Sequence, residues 1–99
     1  MKISDNAAGV LAALLDLQAA CTGNRVGSIE EMAARCKESV AQLTAADLVA
    51  CDGEARAKLR RTANATAAFL RRVVRRRGMR LTMHRFGHIE STTTRGISI

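Results

Sequence analysis

Residues 54–77 read EARAKLRRTANATAAFLRRVVRRR, and this stretch decides how the rest of the chain is interpreted. It holds nine lysine and arginine residues, one acidic residue, and neither proline nor glycine. Its apolar and small residues recur every three or four positions from Ala55 to Val73, which predicts one long helix with a single inward side. Gly78 is placed to end that helix.

The charge of the chain is divided near residue 53. Residues 1–53 hold four basic and seven acidic residues, for a net charge of −3, whereas residues 54–99 hold twelve basic and two acidic residues, for +10. Seven acids cannot neutralise twelve bases, so a positive excess remains after any internal pairing. An excess of this size predicts a surface for an anionic partner, and nucleic acid is the first candidate.

The cations of the long helix fall into two clusters. Four lie in its first two turns and five in its last two, separated by fifteen residues or about 22 Å along a helix. The positions between them that we expect to be exposed are small, namely Asn64, Ala65, Ala67 and Ala68. Arginine at both ends could then hold phosphates. The residues predicted to bind nucleic acid or an acidic partner are Arg56, Lys58, Arg60, Arg61, Arg71, Arg72, Arg75, Arg76, Arg77, Arg80 and Arg85.

A first helix is predicted near the N-terminus. Ser4 or Asp5 can cap it and Gly23 can end it. Apolar residues occupy more than one of its sides, and Asp16 is its only internal charge. Such a helix is either central to the core or shared between subunits, and we expect a homodimer formed through it.

A second helix follows. Ser28 and Glu31 have the spacing of a capping box, and Glu31 can also pair with Arg35 one turn further on. Residues 48–51 could be a short strand or the end of a helix, and Asp52 is placed to cap the long helix. The apolar stripe of the second helix comprises Ile29, Met32, Ala33, Cys36, Val40 and Leu43.

The period changes to two after Gly78. Residues 79–84 alternate apolar and polar side chains, residues 86–88 are typical of a turn, and residues 89–99 are rich in threonine and isoleucine. This pattern predicts a β-hairpin with one apolar side. The expected fold is therefore α+β and mainly helical, with two N-terminal helices, a long basic helix and a C-terminal hairpin in a winged-helix-like arrangement. A β-α-β-β sheet with two extra helices is the alternative.

We expect one domain over residues 1–99, with residues 1–53 as an acidic helical scaffold and residues 54–99 as a basic helix plus hairpin. A helix-turn-helix over residues 29–46 is a weaker interpretation, because its recognition helix would carry two acids and no bases. If the protein binds DNA, the long basic helix is the better contact element.

The junction Arg76-Arg77-Gly78-Met79-Arg80-Leu81-Thr82, followed by Arg85, resembles the helix-to-hairpin junction of small uncharacterised proteins from phages and mobile elements. The resemblance implies a small accessory protein of such an element. It assigns no site residue.

Several classes of function are disfavoured. Three cysteines without a Cys-x-x-Cys pair predict reduced, buried thiols in a cytoplasmic protein, and a zinc site that adds His84 or His88 is disfavoured by the wide spacing. No nucleophile triad, phosphate-binding glycine loop or acid pair near a histidine is present, so we expect neither an enzyme nor a cofactor. No apolar run reaches membrane-spanning length.

Two hypotheses follow from the sequence. The first is a small DNA-binding accessory or regulatory protein that contacts duplex phosphates through the basic helix and the hairpin. The second is an interaction or inhibitor protein, of the phage or mobile-element type, whose basic surface binds an acidic surface on another protein. Charge alone does not separate them.

Overall fold

A computed structural model of the chain describes residues 1–23 and 26–77. These residues form four helices, which are α1 (Asp5–Gly23), α2 (Val26–Gln42), α3 (Ala45–Val49) and α4 (Gly53–Arg77). The described part measures 38 × 20 × 19 Å along its principal axes. At about 1.5 Å per residue, the 25 residues of α4 are long enough to span the long axis.

The predicted α+β class is wrong for the described residues, which contain four helices and no strand. The winged-helix-like arrangement and the β-α-β-β alternative are therefore both corrected. The possible strand at residues 48–51 is instead the end of α3 and the turn after it. The predicted hairpin, at residues 79–99, lies outside the described residues.

A capping box that the sequence analysis missed explains why residues 45–49 are helical. The Asp47 amide donates to Thr44 Oγ1 at 3.1 Å, and the Thr44 amide donates to Asp47 Oδ2 at 2.9 Å. These two bonds satisfy amides that a helix start leaves unpaired. The helical turn buries Leu48 in the core.

Helix α1 is the central element of the fold. It packs against α2, α4 and α3, and its buried residues recur at alternating steps of three and four, as in helices that pack side by side. Of the two interpretations of α1, its central place in the core is confirmed. Leu15 is the largest apolar residue left on its outer side, at 48% exposure. The homodimer through α1 stays a prediction. The buried residues of α1 are Ala7, Val10, Leu14, Leu17 and Cys21.

Helix α2 begins three residues earlier than its sequence suggests. Because it starts at Val26, Ser28 lies inside the helix, and the predicted Ser28–Glu31 capping box is wrong. Glu31 instead forms the predicted ion pair with Arg35, with Oε1 and Nη2 3.1 Å apart. The predicted apolar stripe is confirmed, with Met32 and Leu43 at its half-buried edges.

Asp52 caps the start of α4, as predicted, and also holds the N-terminal segment. Its Oδ1 accepts from the Ala55 amide at 2.8 Å, and its Oδ2 accepts from the Lys2 amide at 2.7 Å. The Asp52 amide in turn donates to the Lys2 carbonyl at 2.9 Å. One carboxylate thus fixes the first turn of α4 against the chain segment that leads into α1.

The inward side of α4 is mostly as predicted, with Ala67 as the exception. Ala67 is fully buried, although the sequence analysis placed it among the exposed small residues. It lies four residues after Ala63 and three before Leu70, so the helical period turns it inward. The buried residues of α4 are Ala55, Leu59, Ala63, Thr66, Ala67, Leu70 and Val73.

Candidate nucleic-acid interface

Five of the predicted contact residues lie together on the outer side of α4. Each is exposed, and each projects away from the side of the helix that packs on α1. We call this surface the arginine face. It consists of Arg60, Arg61, Arg71, Arg72 and Arg75.

The arginine face contains a repeat of eleven residues. The pair Arg60–Arg61 is followed eleven positions later by the pair Arg71–Arg72. Eleven residues make about three helical turns, so the two pairs point in nearly the same direction and lie about 16.5 Å apart along the axis. One edge of the face therefore carries Arg60 and Arg71 in line along the axis, and the other edge carries Arg61 and Arg72.

Two predicted contact residues lie outside this face. Arg56 is half-buried, and its Nη1 donates to the Leu48 carbonyl at 3.4 Å, so it holds the end of α3. Lys58 is exposed but lies about 100° around the helix from the middle of the arginine face. The first cluster is thus divided, and only its second half joins the face.

The remaining predicted contacts fall where the structure gives no side-chain position. Arg76 and Arg77 end α4, and nothing is described of their side chains. Arg80 and Arg85 lie outside the described residues. The site is consequently defined by the five arginines of the face.

The arginine face keeps its charge available. Within residues 1–23 and 26–77, the ion pair of Arg35 with Glu31 on α2 is the one formed at salt-bridge distance. The exposed guanidinium groups of α4 are therefore not neutralised by carboxylates of the described part. A dense set of cations on one helix attracts polyanions.

One guanidinium group of the face is held by an aromatic ring. The Cζ atom of Arg72 lies 5.3 Å from the ring centre of Phe69, three residues earlier on α4. This is the geometry of a cation–π contact. Because Phe69 packs against the core, the contact limits the positions that Arg72 samples.

The middle of the face is lined by small side chains. Asn64 and Ala65 are exposed, as predicted, whereas Ala68 is half-buried and Ala67 is buried. Of the described residues of α4 between the two arginine pairs, those on the outer side have short side chains. A rigid partner can come close there while arginines contact it on either side.

The three cysteines lie in the core of the described residues. Cys21, Cys36 and Cys51 are free and buried, as predicted. Burial, with the nearby charge of Asp16, raises the pKa of the Cys36 thiol to about 12, and burial raises the pKa of Cys21. Across the described ranges no three histidine, cysteine or acidic side chains gather as a metal site. His84 and His88 lie outside them.

None of the helices in the described part of the chain is both long and apolar enough to cross a membrane. Comparisons with protein families, with curated proteins and with solved structures gave no match to this chain. The resemblance to phage and mobile-element proteins therefore stays a prediction, and the function is argued from the arginine face alone.

Proposed function

We propose that this protein binds the phosphate backbone of duplex DNA through the arginine face of α4. The observation that carries the proposal is the eleven-residue repeat of exposed arginine pairs on one rigid helix. Arginine suits phosphate because its planar guanidinium donates two parallel hydrogen bonds. The protein would act in the cytoplasm as a small accessory or regulatory factor, with no catalytic step and no cofactor.

A duplex fits the described surface better than a single strand does. Binding to unpaired bases depends on exposed aromatic side chains on which the bases stack. The described residues contain a single aromatic side chain, Phe69, which is half-buried and packed on the core. Phosphate contacts by arginine need no such platform.

The charge division of the chain also supports a defined contact surface. Acidic residues are confined almost entirely to α1, α2, α3 and the turn before α4. They would be repelled by the backbone of DNA, so they orient the molecule with α4 toward the duplex. The side of the bundle opposite α4 would remain in solvent.

The experiment that tests the proposal is fluorescence anisotropy with a labelled 20-base-pair duplex at 50 and 200 mM salt. We expect binding at 50 mM and a steep loss of affinity at 200 mM, since each neutralised phosphate contributes a log–log slope of about −0.9. Binding that is absent at low salt, or unchanged between the two salts, would refute the proposal.

A pair of matched variants separates the arginine face from net charge. The variant R61A/R72A removes two cations from the face, and R35A/K37A removes two exposed cations from α2. We expect the first to reduce both affinity and salt slope and the second to behave like the parent protein. Equal losses in both variants would show a non-specific charge effect and would contradict the assigned face.

An acidic protein surface is the competing partner, and a pull-down with and without nuclease tests it. Partners that disappear after nuclease treatment support DNA binding. A stoichiometric protein that remains bound after nuclease, and that a DNA duplex fails to displace, would replace the proposal with the interaction hypothesis.

A further inference from the structure

Asn64 occupies a distinct position on α4. It is exposed, and along the helix axis it lies between the pair Arg60–Arg61 and the pair Arg71–Arg72. Around the helix, it lies between the two edges of the arginine face. It is eleven residues before Arg75, so both point in nearly the same direction. Among the described residues of α4, it is the only exposed neutral side chain that can form hydrogen bonds.

The neighbours of Asn64 leave it room to reach a partner. Ala65 and Ala68 lie on the same side of the helix and are shorter than asparagine. The middle of the face therefore carries a single polar group that stands above a methyl-lined strip. A duplex held by the arginines would meet the Asn64 amide at the point where the helix comes closest.

The spacing of the arginine pairs suits one groove of B-form DNA. The major groove is about 12 Å wide, and adding a phosphate radius of roughly 3 Å on each side places facing phosphates about 18 Å apart. The minor groove, about 6 Å wide, gives about 12 Å on the same basis. The 16.5 Å between the pairs, estimated from the helical rise, is closer to the value for the major groove.

The major groove is wide enough to admit an α-helix, and a helix that lies in it places its middle beside the base edges. Phosphate contacts would then fix the position of α4, and Asn64 would face the bases. The side chain of asparagine matches adenine, because its carbonyl accepts from the N6 amino group while its amide donates to N7. No other base offers this donor and acceptor pair in the major groove.

We propose that Asn64 reads an adenine in the major groove, an inference that rests on the proposed binding of α4 to duplex DNA. It adds sequence preference to a contact that the arginines make without regard to sequence. Deep, narrow major grooves of A-form RNA do not admit a helix, so the preference applies to DNA.

In the test, the full chain and the variant N64A are each used to select the sequences they bind from a pool of randomised DNA duplexes. We expect the parent to enrich one position for adenine and the variant to lose that enrichment while keeping its salt slope. Alanine is the best helix former, so the variant keeps α4 intact. As a matched control, R61A should weaken binding to all sequences and retain the adenine preference.

A single-atom substitution in the DNA sharpens the test. Replacing the selected adenine by 7-deazaadenine removes the N7 acceptor, and we expect the parent protein to lose affinity by roughly five- to a hundredfold. The variant N64A should be insensitive to this replacement. Salt-dependent binding with no adenine preference, or a preference retained in N64A, would overturn the inference but leave the proposed function standing. Absence of duplex binding would overturn both.

Discussion

The side-chain amide of Gln18 on α1 donates a hydrogen bond of 2.9 Å to the hydroxyl of Thr66 on α4. Thr66 is the one fully buried polar residue of the described core. Its hydroxyl donates to the Thr62 carbonyl at 2.7 Å, one turn earlier on α4, so it both gives and accepts a bond. A buried polar contact of this kind fixes the register of two otherwise apolar helices, and here it sets which side of α4 faces outward.

We expect T66V to destabilise the protein by about 1 kcal/mol, because valine keeps the shape of threonine but removes the hydroxyl. Gln18 is half-buried, so its amide can turn to water and the loss stays moderate. Thermal unfolding followed by circular dichroism measures the effect. For a chain of this size, a change of 1 kcal/mol lowers Tm by about 4–8 °C.

The control for T66V is T22V near the end of α1. The Thr22 hydroxyl donates to the Gln18 carbonyl within the same helix at 3.0 Å, and the residue is exposed. We expect T22V to change stability by less than about 0.5 kcal/mol. If the two variants unfold alike, the contact between Gln18 and Thr66 has no special role in the packing of α1 on α4.

Acid should destabilise the protein through Asp52 and Asp47. The Lys2 and Ala55 amides lower the pKa of Asp52, and the Asn6 amide and Thr44 lower the pKa of Asp47. A carboxyl whose pKa is lower in the folded state binds its proton more readily when unfolded. Its contribution is therefore complete above the ordinary carboxyl pKa, near pH 4, and is lost as the pH falls through the lowered value.

The measurement is the urea midpoint between pH 7 and pH 2 for the parent and for D52N. Asparagine can still accept from the Ala55 amide, but its own NH₂ group would face the Lys2 amide, a second donor. We expect D52N to be less stable than the parent at pH 7 and to lose less stability in acid. Parallel pH profiles for the two proteins would contradict the assigned role of Asp52.

Arg56 and Arg61 lie close in sequence but should respond differently to substitution by alanine. Arg56 holds the Leu48 carbonyl, so we expect R56A to cost about 0.5–1 kcal/mol of stability and little duplex affinity. Arg61 is exposed on the arginine face, so R61A should leave stability within about 0.5 kcal/mol of the parent. It should weaken duplex binding and reduce the salt slope by about 1.

Unfolding and anisotropy titrations on the same two preparations decide this prediction. If R56A weakens binding as strongly as R61A while unfolding normally, the boundary of the arginine face is misplaced, and the face would have to include the first turn of α4.

Periodicity was sufficient to predict the existence of α1, α2 and α4. The apolar repeats of α1, α2 and α4 and the cap at Asp52 were all visible in the sequence. The start of α2 was not, because Ser28 and Glu31 have capping-box spacing yet lie inside a helix that begins at Val26. The spacing of two residues cannot show whether the serine caps a helix or lies inside one.

The short helix α3 escaped prediction for a related reason. Leu48-Val49-Ala50-Cys51 is as compatible with a strand as with a helix, and the run is too short for a period to appear. The deciding signal was Thr44 with Asp47, a capping box in which aspartate takes the place of the usual glutamate or glutamine. Searching for that variant would have identified the helix.

The sequence alone did not separate the cations that share one side of α4 from those that do not. The sequence shows the density of cations, and the helical period then separates those that share a face. Arg56 is half-buried and Ala67 is buried, which their place in the sequence alone does not show, because a helix turns by 100° at each residue. Applying that rotation to Arg60, Arg61, Arg71 and Arg72 would have shown the repeat.

Cys36 should be the slowest of the three cysteines to react with thiol reagents. A thiol with a pKa of about 12 instead of 9.0 has roughly a thousandfold less thiolate at pH 8, and only the thiolate is nucleophilic. Iodoacetamide labelling at pH 8, followed by peptide mass spectrometry, measures each site. We expect Cys36 in the native protein to be labelled only as fast as the helical bundle opens. In about 6 M guanidinium chloride, which unfolds even hyperstable domains, we expect all three cysteines to react promptly. Prompt labelling of Cys36 in the native protein would mean that the packing of α1 on α2 is looser than its buried side chains indicate. The core that holds α4 in place would then be looser as well.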